Sequence, residues 1–249
     1  MRVRLIGDTG VQIDYGDGPA AHFRSAVLEL DRRIGAARLA GVIELVPAYN
    51  SLLVIFDPCE TSGELLSRQI EELAGSVPGS GAHIGAGIQR RATRTWRIPV
   101  AYGGVFGPDL GEVAGRLGLE VDAVIALHAG ARYVVSMLGF LPGFAYLSGL
   151  PARLAVPRRA TPRPLAPPGI IAIGGAQTAV GSVAGPSGWS IIGRTPLRTF
   201  DPQREPASLL APGDGIVFEP VCARTFEALS AAGARGGSVS HAGDLPVVA

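Results

Sequence analysis

The chain has 249 residues and a formal net charge of +1, and 47% of its residues are hydrophobic while 17% are charged. These values indicate a folded protein with one large or two small domains and exclude a disordered chain. The balanced charge gives no long-range attraction to nucleic acid or acidic membranes, and no run approaches the roughly 20 apolar residues of a membrane span. The apolar stretch within Met1–Ile6 is too short for a signal peptide, and Cys59 and Cys222 lie too far apart to suggest a paired motif. We therefore expect a cytoplasmic protein with free thiols.

All 22 basic residues are arginine, and the chain contains no lysine. A phosphate-binding loop of the Walker type needs its lysine, and a Schiff base needs a lysine amine, so both are excluded. Any anion site must instead use arginine side chains or backbone N–H groups.

The first 75 residues predict a compact α+β unit. Short strands are expected over Arg2–Ile6 and Gly10–Tyr15, followed by a helix over Ala20–Leu39, where apolar residues recur at helical spacing. The same order then repeats, with strands at 42–47 and 51–56 and an amphipathic helix at 62–74. Residues 75–87 are rich in Gly, Ser and Pro and indicate a linker, so the N-terminal domain is assigned to residues 1–88.

The second part of the chain predicts a β-barrel or sandwich, assigned to residues 89–223. It begins with a strand at 93–100 and two short helices at 109–117 and 121–127. Five short apolar runs cut by Gly and Pro follow, which are typical of all-β folds, at Tyr133–Leu138, Ile170–Gly174, Gln177–Val183, Trp189–Ile192 and Gly215–Phe218. Residues 224–249 are expected to be a flexible tail, with no more than a helical turn at 225–229.

Acidic residues are missing from a long stretch of this second part. Between Ala123 and Phe200 there is no Asp or Glu, while seven arginines occur there, namely Arg132, Arg153, Arg158, Arg159, Arg163, Arg194 and Arg198. Arginines on a proline-braced segment offer planar donors to carboxylate or phosphate at a small entropic cost. Their counter-charges are expected from the first domain, a partner chain or a ligand. We favour Arg158, Arg163 and Arg194 as functional, and a solvated Arg159 and an Arg198–Asp201 pair are the structural alternatives.

Three other features are candidates for a site. The segment Gly139–Leu147 is dense in Gly and aromatic residues and predicts either a ligand wall or a tight turn in the core. Gln177-Thr178 and Ser187–Trp189 lie at predicted strand ends, where they either contact a polar ligand or form turns. His128 closes a predicted helix, and a structural role there is the alternative to a catalytic one. None of the four histidines has a metal-ligand spacing.

Several segments together resemble the KipI/PxpB family over most of the chain. The matching segments are Asn50–Val54, Tyr102–Leu110, Met137–Leu147, Pro157–Arg163, Gln177-Thr178, Gly188-Trp189, Ile192–Pro196 and Pro212–Asp214, together with His128 and Tyr133. The resemblance implies a small N-terminal α+β domain followed by a cyclophilin-like β-barrel. It also implies a subunit of ATP-dependent 5-oxoprolinase that is inactive alone and binds a KipA/PxpC-type subunit and a PxpA-type subunit.

On this basis we expect the complex to convert 5-oxoproline, ATP and water to glutamate, with ATP shared with the partner subunits. No biotin or metal is expected on this chain. The residues hypothesised to be catalytic are Arg158, Arg163, Gln177 and His128, with Gln177 bonding to the amide. The residues hypothesised to bind substrate or nucleotide are Arg194, Thr178, Phe140, Gly143, Tyr146 and Trp189.

The sequence departs from the family pattern after Thr178, where Ala179–Ser182 stands in place of the usual Gly-Ile-Tyr-Pro. The loss of that tyrosine puts the identity of the substrate in doubt. Two alternatives remain open. One is a carboxyltransferase subunit of the urea carboxylase or allophanate hydrolase type, working with biotin, and the other is an inhibitor of a histidine kinase.

Overall fold

The computed structural model describes residues 1–17, 20–75 and 94–234. The chain divides into two compact units, residues 1–91 and 92–249. The linker expected over 75–87 lies outside the described residues apart from Gly75, as does the boundary predicted after residue 88. Cys59 and Cys222 are free, and both are exposed. Within the described ranges, no helix is long and apolar enough to cross a bilayer.

The N-terminal unit has the predicted β-β-α-β-β-α order. A four-stranded antiparallel sheet in the order β1-β2-β4-β3 packs with two helices. The elements are β1 (Arg2–Ile6), β2 (Gly10–Asp14), α1 (Ala20–Ala37), β3 (Val42–Pro47), β4 (Ser51–Phe56) and α2 (Gly63–Gly75). Val27, Leu30 and Ile34 recur along one face of α1 and are buried against Leu52 and Val54 of β4. The period of α1 and the alternation along β4 thus account for this core.

The second unit is built around a closed seven-stranded barrel in the order β10-β7-β6-β13-β5-β12-β9, which confirms the predicted α+β fold with a barrel. Its strands are β5 (Thr95–Tyr102), β6 (Tyr133–Leu138), β7 (Ala145–Ser148), β9 (Ile170–Gly174), β10 (Gln177–Val180), β12 (Ser190–Arg194) and β13 (Gly215–Pro220). Strands β5 and β13 pair in parallel, and the other neighbours are antiparallel. Two short strands, β8 (Arg163–Ala166) and β11 (Gly185–Ser187), form a separate small sheet.

Three helices complete the second unit, together with a short 3₁₀ helix at Ala152–Leu154. The helices α3 (Leu110–Leu117) and α4 (Val121–Ala129) lie where the sequence predicts them. The helix α5 (Ala223–Ala234) is longer than the predicted turn at 225–229. The segment predicted to be a flexible tail therefore begins with a helix, whose Phe226 is buried and packs against Phe106 at a ring distance of 4.6 Å. Residues 235–249 lie outside the described residues.

Alternation along the barrel strands separates two apolar cores. Ile171 and Ile173 of β9 join the main core inside the barrel, while Ile170 and Ala172 belong to a second buried cluster. Because neighbouring side chains of a strand point to opposite faces, this second cluster lies on the outer face. Ala166 of β8 belongs to it, so the small β8–β11 sheet covers part of that outer face.

Candidate functional site

An aromatic row runs along the outer face of the barrel. The rings of Phe140 and Phe144 lie 5.6 Å apart, those of Phe144 and Tyr146 lie 4.9 Å apart, and those of Tyr146 and Trp189 lie 5.7 Å apart. Tyr146 of β7 pairs with Ala179 of β10, whose small side chain leaves room for the neighbouring rings. The fold thus brings Trp189 next to Phe140 and Tyr146, which the sequence analysis selected from a different segment, Gly139–Leu147.

The position of Trp189 depends on a glycine. A Cβ on Gly174 would lie 2.5 Å from the Trp189 ring, so only glycine at the end of β9 lets the indole lie this close to the backbone. The side chain is almost fully buried there, at 8% exposure. The ring therefore forms a fixed platform, and a platform of this kind needs no ordering when a ligand binds.

Arg158 lies at the Trp189 end of the row. Its guanidinium carbon is 5.8 Å from the centre of the Trp189 ring, a cation–π distance. Burial raises the pKa of Tyr146, and the nearby positive charge of Arg158 opposes that rise. Arg158 is exposed, and no carboxylate within the described ranges forms a salt bridge with it. The structure thus presents a cation on an aromatic surface, open to an anion.

Gln177 lies on the same face as this row. It opens β10 opposite Gly174, the residue that supports Trp189, and it is half-buried. Since side chains repeat every second residue along a strand, Gln177 and Ala179 share the outer face. We call the surface formed by Arg158, Trp189, Tyr146, Phe144, Phe140 and Gln177 the Arg158 face.

Phe140 has a strained backbone. It adopts φ +71° and leaves 61% of its surface exposed. A large side chain in the left-handed region costs about 1–3 kcal/mol and persists where the surrounding structure or a function requires it. Gly143 has φ +70°, and its missing Cβ makes room for Phe200, since a Cβ there would lie 2.7 Å from that of Phe200. The tight-turn interpretation therefore accounts for Gly143.

Thr178 and His128 lie inside the barrel rather than on the Arg158 face. Thr178 donates its hydroxyl proton to the carbonyl of Ala172 at 3.0 Å, so Nε2–H of His128 donates to Thr178 at 3.1 Å. The other ring nitrogen, Nδ1, then accepts from the hydroxyl of Tyr102 at 2.8 Å. Burial lowers the pKa of His128 to about 3. Both ring nitrogens are satisfied in a neutral buried chain of hydrogen bonds, which fits the structural alternative for His128.

Arg163 and Arg159 have a counter-charge inside their own unit. Asp109, just before α3, accepts both terminal nitrogens of Arg163 at 2.7 and 2.5 Å and one from Arg159 at 3.1 Å. This corrects the expectation that the counter-charges come from outside the barrel domain, and it corrects the solvated alternative for Arg159. The acid-free stretch begins at residue 123, and Asp109 precedes it in sequence but packs against it in the fold. The predicted pair of Arg198 and Asp201 is present at 3.2 Å.

Arg194 lies apart from the Arg158 face. It ends β12, whereas Trp189 precedes that strand, so the two residues are about 16 Å apart along it. Its Nε and Nη2 donate to the carbonyl of Pro168 at 3.2 and 3.1 Å, and its guanidinium lies 5.6 Å from the centre of the Phe226 ring. The side chain lines a cavity of about 340 Å³ under α5.

Two residues of these sites were missed by the sequence analysis, each for a clear reason. Asp109 has the position of a helix N-cap, but its side chain makes no cap hydrogen bond and turns toward the arginines instead. Phe226 lies in a segment whose small residues suggested a tail. Within the described ranges, no group of three or more His, Cys, Asp or Glu residues is placed to hold a metal ion.

Comparison with known proteins assigns the family. Residues 1–210 match the family described as carboxyltransferase domain, subdomain C and D. The chain is 37% identical to the B-type subunit of 5-oxoprolinase from Bacillus subtilis over 230 residues, 91% of this chain and 95% of that protein. It is 40% identical to the corresponding 5-oxoprolinase protein from Escherichia coli O157:H7 over 223 residues, 88% of this chain and 95% of that protein.

Solved structures share the fold. The crystal structure of TTHA0988 matches with a TM-score of 0.72 at 34% identity, over 88% of this chain and 40% of that longer chain. The Kluyveromyces lactis urea carboxylase matches with a TM-score of 0.73 at 18% identity, over 94% of this chain and 23% of that chain. At this low identity the match supports a shared fold only. The chain therefore belongs to the carboxyltransferase subdomain C and D family, which the sequence analysis reached as KipI/PxpB.

Proposed function

We propose that this chain is a subunit of an ATP-dependent 5-oxoprolinase and works in a complex with a KipA/PxpC-type and a PxpA-type subunit. The observation that carries the proposal is the match to two proteins named as B-type subunits of 5-oxoprolinase, each aligned over 95% of its length. The alignment covers nearly the whole of both relatives, so the likeness is not limited to one shared domain.

The proposed reaction needs an anion site. Opening a lactam is easier when its carbonyl oxygen is phosphorylated, because the C–N bond then belongs to an activated imidate that water can attack. ATP supplies the phosphoryl group, and the products are glutamate, ADP and phosphate. An arginine close to the transferred group neutralises the charge that develops on its oxygens. ATP would be shared with the partner subunits, and this chain would hold neither biotin nor a metal ion.

The Arg158 face suits this role. Arg158 is exposed and has no carboxylate partner within the described ranges, and its guanidinium carbon lies 5.8 Å from the centre of the Trp189 ring. Gln177 lies on the same face and would donate to or accept from the amide of the lactam. The planar guanidinium of an exposed arginine can form two parallel bonds with a phosphate or carboxylate.

Among the described residues, the same face has no histidine or carboxylate for acid–base chemistry. His128 is fully buried, with both ring nitrogens bonded, and the carboxylate of Asp109 is occupied by Arg163 and Arg159. Arg163 would then act as a positioning residue that fixes the segment next to Arg158. The proton transfers of lactam opening would come from the partner subunits, which accounts for a chain that is inactive alone.

Phe140 would contact a partner subunit. An exposed aromatic ring held in a strained backbone is typical of an anchor that inserts into a partner. The ring lies at the far end of the aromatic row from Arg158, so a subunit that covers the row would exclude water from the anion site. We therefore place the contact with the KipA/PxpC-type subunit over Phe140.

The test is reconstitution with the two partner subunits encoded by the same genome. We expect the three chains to co-purify and to hydrolyse ATP only when 5-oxoproline is present, at a rate that avidin does not change. Avidin sequesters biotin, so an avidin-sensitive activity on urea would instead establish the carboxyltransferase alternative. ATP hydrolysis that is equal with and without this chain would contradict the proposal.

A further inference from the structure

The cavity under α5 has the dimensions of a site for a small molecule. Its volume of about 340 Å³ lies at the lower end of the range for ligand pockets, roughly 300–1,000 Å³. One wall is the segment from Arg194 to Leu197, a second is Ser182–Ala184, and Phe226 and Ser230 of α5 form a third. Phe226 and Ser230 are four residues apart and therefore share one face of the helix.

The charge of this cavity is positive. Arg194 and Arg198 line it, and its described lining contains no Asp or Glu. Arg198 is 71% exposed and paired with Asp201, so its charge is already balanced. Arg194 donates only to the neutral carbonyl of Pro168, so its charge is not neutralised by any described carboxylate. Burial lowers the pKa of Arg194, which shows that its charged form is partly stripped of water. An anion bound to Arg194 would stabilise the charged guanidinium in place of the water it has lost.

The guanidinium of Arg194 is fixed before any ligand arrives. The Pro168 carbonyl holds two of its nitrogens, and the Phe226 ring lies against it. That ring is itself held by Phe106 and is 8% exposed. Phe226, Phe200 and Leu197 together give the cavity apolar walls. A fixed cation beside flat apolar walls is the arrangement that recognises an anionic group attached to a compact apolar body.

We infer that this cavity is a second binding site, separate from the Arg158 face, for a small organic carboxylate with a compact ring or alkyl body. The carboxylate bonds to Arg194, and the body packs on Phe226 and Phe200. The small volume favours such a ligand over a nucleotide. The inference concerns binding by this chain alone and does not depend on the proposed function.

The wall that closes the cavity is not part of the matched family region. That region ends at residue 210, whereas α5 spans Ala223–Ala234. Arg194 and Phe200 therefore lie within the region matched by the family model, while Phe226 and Ser230 lie after it. The apolar body would contact both parts, Phe200 on one wall and Phe226 on the other.

The experiment is a ligand-observed NMR titration of the full chain. The probes are cyclopentanecarboxylate, 5-oxoproline and glutamate, and the neutral controls are cyclopentanemethanol and 2-pyrrolidinone, which lack the carboxylate. We expect at least one ring carboxylate to bind and both neutral controls to fail. Binding of 5-oxoproline alone would identify a ligand of the proposed reaction, and binding of cyclopentanecarboxylate as well would show that the ring carboxylate suffices. Both results support the site.

Variants then locate the binding. Arg194→Gln should weaken it about tenfold or more, the value of one charge-assisted hydrogen bond. The matched control Arg153→Gln changes an exposed arginine elsewhere and should leave binding unchanged. Ser230→Phe should abolish binding by placing a ring in the cavity, since Ser230 lines it, and it tests the site even if Arg194→Gln impairs folding. No binding by any carboxylate, or equal binding by wild type, Arg194→Gln and Ser230→Phe, would overturn the inference.

Discussion

The carboxylate of Asp109 binds both terminal nitrogens of Arg163, at 2.7 and 2.5 Å, while the Asp109 side chain is only 4% exposed. The same carboxylate accepts Nη1 of Arg159 and the backbone N–H of Ile191. One buried anion thus ties the start of α3 to β8 and β12. Arg159 follows Arg158 in the sequence, so its bond to Asp109 also holds the segment that carries Arg158.

The first prediction concerns this buried charge. Asp109→Asn keeps the size of the side chain but leaves Arg163 and Arg159 without their anion, so it should lower the free energy of unfolding by about 3 kcal/mol. Urea denaturation of the full chain measures this change. In the control Asp201→Asn, the lost pair with Arg198 is exposed and screened by water, so the loss should be much smaller. Equal losses for the two variants would refute the special role of Asp109.

The second prediction is a pH dependence from His128. Burial lowers its pKa from 6.5 to about 3, so the folded protein keeps His128 neutral while the unfolded chain takes up a proton below pH 6.5. The contribution of neutral His128 to the free energy of unfolding is therefore fully present above pH 6.5. Below pH 6.5 it falls by about 1.4 kcal/mol for each pH unit. Denaturation at pH 7 and pH 5 should show a smaller difference in His128→Gln than in wild type. The same difference in both proteins would contradict the neutral buried histidine.

The third prediction concerns the platform for Arg158. Gly174→Ala adds a methyl group that would lie 2.5 Å from the Trp189 ring. This distance is too short for two carbon atoms, so the ring or the strand must move. We expect a loss of about 1–3 kcal/mol in the free energy of unfolding. Gly115→Ala is the control, since a Cβ there meets nothing within 4 Å and alanine favours the helix. If Gly174→Ala leaves the free energy of unfolding unchanged, the position of the Trp189 ring does not depend on glycine at residue 174.

The fourth prediction separates stability from assembly at Phe140. Phe140→Gly relieves the strain of a side chain at φ +71°, so the isolated chain should be as stable as wild type or more stable by about 1 kcal/mol. The same change removes the exposed ring and should weaken the complex with the KipA/PxpC-type subunit at least tenfold, because anchors of this kind cost about 2 kcal/mol or more when truncated. Thermal melting and a titration with the partner measure the two quantities. Undiminished partner binding would remove Phe140 from the contact.

The spacing of hydrophobic residues along the sequence predicted most of the fold, but it missed the short strands of the second unit. In the N-terminal unit, α1, α2 and β4 follow directly from helical and alternating patterns, because each of them buries one face. By contrast, β7, β8 and β11 have three or four residues each, and β7 overlaps the segment Gly139–Leu147, which was interpreted as a ligand wall or a tight turn. Strands this short carry too few residues for an alternation to be recognised.

The candidate site was predicted in composition but not in arrangement. Phe140, Tyr146, Trp189, Arg158 and Gln177 were all selected from the sequence, and the barrel places them on one outer face. Nothing in the sequence distinguishes the two faces of β10, so Thr178 was grouped with Gln177 although it points inward. The partner of Arg163 also lies 54 residues away, and a contact of that separation has no local signal.

The account depends on Arg158 acting together with a partner subunit, and kinetics of the reconstituted complex test this most directly. We predict that Arg158→Ala lowers kcat/KM for 5-oxoproline-dependent ATP hydrolysis by about 10²-fold, as does the loss of other charge-stabilising donors. Arg153→Ala, an exposed arginine of the same chain, should retain the wild-type value. Wild-type kcat/KM in the assembled Arg158→Ala complex would contradict the account.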